Sequence, residues 1–306
     1  MFKKLFGYPV IRFGTAMILI LALVLAFPGT RALAGELLNL FRVQQVTVVS
    51  VDFTGLEQLT GDGALGNQFT ELISNSVNMS DEPGDPVEAA DADQASQLAG
   101  FTVRLPGSAT PSQIYVMDGA SFSMTVDRAK AQALLDEAGR GDLVLPESVD
   151  GADISVTIPS SVSAAYGTCP KPEADSSEGE ETERRYPDCV ILAQIPSPSV
   201  NAPADLDVNQ LAQIGLEFTG MTAEEAAAFT STVDWTSTLV VPIPSNAATY
   251  EQVTVDGVTG TLIQRSSREG EPTTFALFWV KDGIIYAISG RGANSEQVIE
   301  MANSLP

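Results

Sequence analysis

The chain has 306 residues, of which 44% are hydrophobic, and a formal net charge of −23. This hydrophobic content can bury at least one full core, which excludes a wholly disordered chain. The acidic excess disfavours nucleic acid and anionic lipid surfaces, and we expect no nucleic-acid binding. The sequence contains no histidine and no Ser-x-x-Lys spacing, so the commonest general base, zinc ligand and lysine base are missing. We therefore predict a protein that is not an enzyme, with no catalytic, cofactor-binding or metal-binding residues and no cofactor; a carboxylate-only hydrolase stays open as an alternative.

The N-terminus has the pattern of an export segment. Residues 1–12 carry three positive charges and predict a short cytoplasmic tail, with the bulk of the chain after Arg31 outside the cytoplasm. Residues 13–34 are predicted to be a transmembrane anchor or an uncleaved signal segment. The uncharged part, 13–30, would span about 27 Å, close to a hydrocarbon core of about 30 Å. We expect a single-pass protein held in the cytoplasmic membrane through 13–30; the alternative is secretion after cleavage at Ala34, which ends a small-x-small pattern.

Residues 35–95 are predicted to form a juxtamembrane helix, a first strand and a loose linker. The helix is Leu37–Phe41 and the strand is the β-branched run Val46–Val51. The linker, rich in Gly, Asp, Asn and Ser, is expected to contain one helix near Phe69–Val77.

Residues 96–205 are predicted to be a first α+β half. Asp118-Gly119 separates two strand-like runs, Ile114–Met117 and Ser121–Val126, and predicts a hairpin. A helix is expected over Arg128–Ala138. A later strand, Ile154–Ile158, is expected to pair with Val190–Ile195.

The two cysteines, Cys169 and Cys189, flank an acidic segment that no core could absorb. Strand-like sequences lie on both sides, so a disulfide would close the loop 169–189 at its base in an oxidising compartment. Metal binding would need further ligands, and a redox pair is more often Cys-x-x-Cys.

Residues 206–306 are predicted to be a second half with helices first and strands after. Asp207 and Thr222 are expected to cap helices, the latter through a capping box. Three strand regions follow from about residue 238 to 289, where Asp256-Gly257 and Asp282-Gly283 indicate hairpins and an antiparallel sheet. A closing helix is expected to cover this sheet. The fold class is therefore α+β, with antiparallel sheets and packed helices outside the membrane, preceded by one N-terminal hydrophobic helix.

Several of these runs resemble a known family. They are residues 30–46 (TRALAGELLNLFRVQQV), 99–106 (AGFTVRLP), 233–243 (VDWTSTLVVPI), 255–260 (VDGVTG), 277–290 (LFWVKDGIIYAISG) and 302–305 (ANSL). They are similar to the DUF4367-type extracytoplasmic domain of bacterial anti-sigma-factor-like membrane proteins. The resemblance implies a retained membrane anchor and an outer sensing domain at 206–306. It also implies a departure, since the cytoplasmic zinc-binding domain with a His-x-x-x-Cys-x-x-Cys signature is missing here.

The leading functional hypothesis is a non-enzymatic, membrane-anchored extracytoplasmic sensor or protein-interaction domain, whose partner in the envelope is not identified by the sequence. The first alternative is a carrier of an apolar ligand held between the curved sheet and its helices. Trp235 and Trp279 are candidates for lining a cleft, although strand and helix-end tryptophans are more often core residues. An apolar cavity near Trp279 would favour the carrier, and two convergent carboxylates would favour a hydrolase.

Overall fold

A computed structural model of the chain describes residues 43–52, 64–171, 188–245, 248–265, 274–291 and 295–306. The predicted cytoplasmic tail, hydrophobic segment and juxtamembrane helix lie outside these ranges, as does most of the acidic loop. No helix within the described ranges is long and apolar enough to cross a membrane.

The described residues form an α+β fold with six α-helices. Their bounds are Ala64–Ser76 (α1), Ala92–Ala99 (α2), Arg128–Glu137 (α3), Val208–Phe218 (α4), Ala223–Thr232 (α5) and Ser295–Asn303 (α6). Local signals fix several of the helix ends. Asp207 caps α4 by accepting a hydrogen bond from the Gln210 amide, and Thr222 forms the expected capping box with Glu225 at the start of α5.

Fourteen strands form three sheets in this part of the chain. The bounds are Gln45–Val51 (β1), Val77–Asp81 (β2), Val87–Glu88 (β3), Gln113–Met117 (β4), Ala120–Thr125 (β5), Asp153–Ile158 (β6), Ser161–Tyr166 (β7), Val190–Pro196 (β8), Ser199–Asn201 (β9), Thr238–Pro244 (β10), Ala248–Val255 (β11), Val258–Arg265 (β12), Thr274–Lys281 (β13) and Ile284–Arg291 (β14). The order is β11-β12-β13-β14-β8-β7-β4-β3 in the largest sheet, β2-β5-β6-β9 in the second and β1-β10 in the third. The two larger sheets are antiparallel, and the largest contains strands from both predicted halves.

Both Asp-Gly hairpins are confirmed. Asp256-Gly257 joins β11 to β12 and Asp282-Gly283 joins β13 to β14. All four turn residues have φ between 52° and 77°, the left-handed conformation that two-residue turns of this kind require.

The predicted hairpin at Asp118-Gly119 is wrong. Strand β4 lies in the eight-stranded sheet and β5 in the four-stranded one, so the chain crosses between sheets at this point. A Cβ atom on Gly119 would lie 2.5 Å from the carbonyl oxygen of Ile158. The glycine therefore allows two backbones to approach closely where the strands bend, and does not form a turn.

Two other strand pairings differ from the expectation. Strand β6 pairs with β5 and β9, whereas β8 pairs with β7 and β14, so β6 is not the partner of β8. Strand β10 does not join the C-terminal meander but pairs in parallel with β1. Pro242 and Pro244 give β10 no amide hydrogen at two positions, which suits a strand with one partner better than a central one.

The segment 52–95 is more ordered than a loose linker within its described part. It contains the expected helix, now α1, together with β2, β3 and α2. Helix α2 has a capped start at Asp91 and ends at Gly100 in the left-handed conformation.

Two cores lie on opposite faces of the eight-stranded sheet. Core 1 contains the apolar residues of β1, β10, β5, β6, α4 and α5. Core 2 contains those of β4, β7, β12 and β13 together with α2 and α6, in which Val298 and Ala302 are buried. Helix α6 thus covers one face of the sheet, as the sequence predicted.

Candidate functional site: an apolar cavity beside core 1

A cavity of about 340 Å³ opens beside core 1, between the strands and four helices. Its strand-side wall comes from β1, β5, β6 and β10, and its helical wall comes from α1, α3, α4 and, through Phe229, α5. The lining residues are Val49, Val51, Phe69, Leu72, Ile73, Ser76, Met124, Val126, Asp127, Ala131, Leu134, Leu135, Leu145, Val149, Ile154, Leu206, Leu211, Ala212, Ile214, Gly215, Leu216, Phe218, Thr219, Phe229, Trp235, Val240 and Pro242.

Strand alternation positions the strand-side wall. Val49 and Val51 are two residues apart on β1 and therefore point to the same side. They are each 3% exposed, and Ile154 on β6 is 5% exposed. These residues belong to core 1, so this wall is a firmly packed surface.

Helical periodicity positions the other wall. Leu211, Ile214 and Phe218 line the cavity from α4, and their spacing of three and four residues places them on one face. Gly215 lies on the same helix and also lines the cavity. A Cβ atom there would meet no other atom within 4 Å, and Gly215 is itself exposed, so it lies at an open part of the cavity.

The polar residues in the wall are engaged locally. The Asp127 carboxylate caps α3 by accepting a hydrogen bond from the Lys130 amide and forms an ion pair with the Lys130 ammonium at 3.1 Å. These contacts lower the pKa of Asp127, the backbone hydrogen bond contributing most. The Thr219 hydroxyl donates to the carbonyl oxygen of Leu216. The wall therefore offers a ligand mostly apolar contact.

The two tryptophans have different positions. Trp235 lines the cavity, and its indole nitrogen donates to Asn209 Oδ1 at 2.7 Å. Trp279 is 0% exposed in core 2, where its ring stacks on Tyr286 with centroids 5.1 Å apart. The apolar cavity is therefore not at Trp279, where we expected it for a carrier, but beside Trp235, which is itself a buried residue of core 1.

A second candidate site is a charged cluster of Arg104, Asp256 and Lys281. Arg104 donates to both carboxylate oxygens of Asp256, with Nη2–Oδ1 at 2.9 Å, and Lys281 Nζ donates to Oδ1 at 2.6 Å. The Asp256 side chain is 6% exposed. Burial raises the pKa of Asp256, but the hydrogen bonds and charges of the two cations outweigh it and leave the pKa below its ordinary value.

This cluster brings together residues from three separate segments of the sequence. Arg104 comes from 99–106, Asp256 from 255–260 and Lys281 from 277–290. The backbone of Arg104 also exchanges two hydrogen bonds with the buried Gln194 side chain, Oε1 accepting at 2.9 Å and Nε2 donating at 2.8 Å. All three charges are paired, and hydrogen bonds hold the segment around Arg104 against β8. This geometry indicates that the cluster stabilises the fold.

The disulfide between Cys169 and Cys189 is present, with the Cα atoms 4.9 Å apart. It closes the loop 169–189 at its base, as expected, although the strand before the loop is β7 and not the predicted Ile154–Ile158. No group of three or more metal-ligating side chains occurs within the described ranges.

Sequence reasoning offered an apolar-ligand carrier as an alternative but did not locate the cavity. The helical residues that line it have the spacing of core residues, which does not distinguish a packed face from one that borders space. The available signal was Gly215, since a glycine inside an apolar helix face is costly unless space or close approach requires it.

Comparisons of the chain with protein-family models, with curated proteins and with solved structures gave no match. The resemblance to the DUF4367-type domain therefore stays a proposal.

Proposed function

We propose that this protein is a non-enzymatic extracytoplasmic domain that binds an apolar ligand in the cavity beside core 1. The observation that carries the proposal is the cavity wall, in which Ser76, Asp127 and Thr219 are the polar members. A volume of about 340 Å³ lies within the range of about 300–1,000 Å³ found for small-molecule sites. A packed interior normally closes such a space, because voids cost contact energy.

The chemistry of the wall selects the ligand class. Among the described residues, the charged side chain that lines the cavity is Asp127, and the whole chain carries −23. A carboxylate or phosphate group inside would lose hydration and meet no cation among these lining residues. The ligand is therefore a hydrocarbon chain or ring system whose polar end is neutral, or cationic and placed at the rim.

Binding accounts for the cavity better than hydrolysis does. A histidine-free hydrolase would place two convergent carboxylates in a cleft. Within the part of the chain that the structure describes, the cavity wall has one carboxylate, Asp127, whose oxygens accept from the Lys130 amide and pair with the Lys130 ammonium.

The cellular role we propose is sensing, with the ligand as the signal; carriage of the ligand is the second candidate. Sensing is supported by the resemblance to anti-sigma-factor-like proteins and by the expected anchor at residues 13–30. The disulfide supports an oxidising compartment outside the cytoplasm. Detection of the intact N-terminus in the membrane fraction would support the anchor, and a soluble protein that begins at Gly35 would contradict it.

The binding proposal is tested with the fluorescent probe N-phenyl-1-naphthylamine. We expect saturable binding with enhanced emission at one site per chain. Three competitors with the same chain length test the ligand class: 1-dodecanol and dodecylamine should displace the probe at lower concentrations than dodecanoate. The absence of saturable binding would contradict the proposed function. Equal displacement by all three would contradict the ligand class alone.

A matched pair of variants tests whether the Asp127 charge in the cavity wall causes the preference against an anionic ligand. Asp127→Asn keeps a good helix cap but removes the charge, so dodecanoate should compete better than with the wild type. Asp142→Asn is the control, because Asp142 also pairs with a cation, Arg140, but does not line the cavity.

A further inference from the structure

Helix α1 presents one apolar face to the cavity. Phe69, Leu72, Ile73 and Ser76 all line it, at positions i, i+3, i+4 and i+7 of the helix. This stripe makes α1 one complete side of the cavity wall.

The stripe is packed less tightly than the strand wall. Phe69, Leu72 and Ile73 are half-buried, whereas Val49 and Val51 across the cavity are each 3% exposed. The buried strand residues belong to core 1, whereas the three α1 residues are not members of core 1 or core 2. Helix α1 lies against α3 and β2, and the rest of its apolar face borders the cavity.

The connections of α1 suit a movable element. It runs directly into β2 at Ser76–Val77, without an intervening loop. Strand β2 lies at the edge of its sheet, and its pairing with β5 shifts register between Met79 and Asp81. A described tie to α3 is a surface hydrogen bond, in which Gln68 Nε2 donates to Glu137 Oε1 at 3.3 Å. Exposed bonds of this length add little stability.

We propose that α1 is the lid of the cavity, and that it pivots at its junction with β2 to admit and release the ligand. This inference rests on the proposed function, since it names how the same site is regulated. The bound ligand supplies the contacts that the apolar stripe lacks, so binding stabilises the closed position of α1. In a sensor, this ordering of α1 is the change that a partner would detect.

The test joins α1 to α3 covalently. Gln68 and Glu137 are both exposed, so the double variant Gln68→Cys/Glu137→Cys can be bridged by the short crosslinker bismaleimidoethane without reducing Cys169–Cys189. The same variant treated with N-ethylmaleimide carries similar adducts but no bridge. We expect the bridged protein to exchange N-phenyl-1-naphthylamine at least about tenfold more slowly than the unbridged protein, in both directions.

The outcomes separate the lid from the function. Equal exchange rates with and without the bridge would overturn the lid, and failure of the unbridged variant and the wild type to bind the probe would overturn the proposed function. Hydrogen exchange on the wild type provides the second measurement, which needs no variant. The amides of α1 should become at least about fivefold more protected when the probe is bound, whereas those of α6 should not change. Unchanged protection in α1 would also count against the lid.

Discussion

Substitution of Gly215 tests most directly whether α4 borders a ligand cavity or a packed core. It lies inside α4 and lines the cavity, and a side chain there would enter open space. Replacing it with leucine should stabilise the fold and remove ligand binding at the same time. A larger side chain at a packed core position normally destabilises the protein, so a stabilised variant would show that Gly215 borders open space and not a packed core.

The magnitude follows from two contributions. Replacing a glycine inside a helix by alanine contributes about 0.5–1 kcal/mol. Because Gly215 is exposed, extending alanine to leucine buries its apolar groups only in part, and the gain of about 0.8 kcal/mol for each buried group is offset by about 0.5–1 kcal/mol of side-chain entropy. We expect Gly215→Leu to be about 1 kcal/mol more stable than the wild type, and Gly215→Ala, the control, about 0.5–1 kcal/mol more stable.

Urea unfolding followed by circular dichroism measures these differences, provided that the slope of the transition is unchanged. Probe titration measures binding by the same proteins. Gly215→Ala should retain affinity within about threefold, whereas Gly215→Leu should lose at least about tenfold, because its side chain occupies the ligand volume. A destabilised Gly215→Leu protein that still binds the probe would refute the reasoning.

Three further predictions concern the fold. Asparagine tolerates the turn conformation, so Asp256→Asn removes only the charge between two cations and should lower the free energy of unfolding by about 3 kcal/mol at pH 7. The control, Asp282→Asn in the equivalent exposed turn, should have little effect. The pKa of Asp256 is lower in the folded than in the unfolded protein, so the stability that this carboxylate contributes should be complete above pH 3.8 and be lost as pH falls through the folded pKa. The unfolding free energies of the wild type and Asp256→Asn should therefore converge in acid. Replacing Cys169 and Cys189 by serine should cost about 3 kcal/mol in urea unfolding, and an unchanged midpoint would contradict a structural role. Deleting residues 294–306 should expose the sheet face and cause aggregation, and a monomeric truncated protein with an unchanged melting temperature would contradict that packing.

Features set by local sequence were predictable. The capping box at Thr222 and the Asp-Gly turn at Asp256 each depend on neighbouring residues alone, and both have the expected geometry. The cysteine pair was predictable because the acidic segment between its members could not enter a core.

Pairing between distant strands was not predictable in the same way. The sequence predicts that β10 is the first strand of the C-terminal meander, but its partner in the structure, β1, lies nearly 200 residues earlier in the chain. At Gly119 the sequence fits a turn as well as it fits a bend between sheets, and the close approach of Ile158 decides between them.

The cavity was hidden for a related reason. Apolar spacing shows which side of a helix avoids water, but it does not show whether that side meets side chains or space. Phe69 and Leu211 have the same kind of pattern as true core residues. Arg104, Asp256 and Lys281 lie in three distant segments of the sequence. Their contact with one another depends on the fold and could not be predicted from any one segment.

The most direct test of an apolar ligand is to look for it in the native protein. The protein would be purified without detergent from the cell fraction that contains it and extracted with organic solvent. The extract would be analysed by mass spectrometry against that of Gly215→Leu prepared in parallel. We expect the wild type to yield about one equivalent of an uncharged or cationic amphiphile, or of a hydrocarbon-rich molecule, that the variant lacks. Extracts with the same content from both proteins would contradict binding in this cavity.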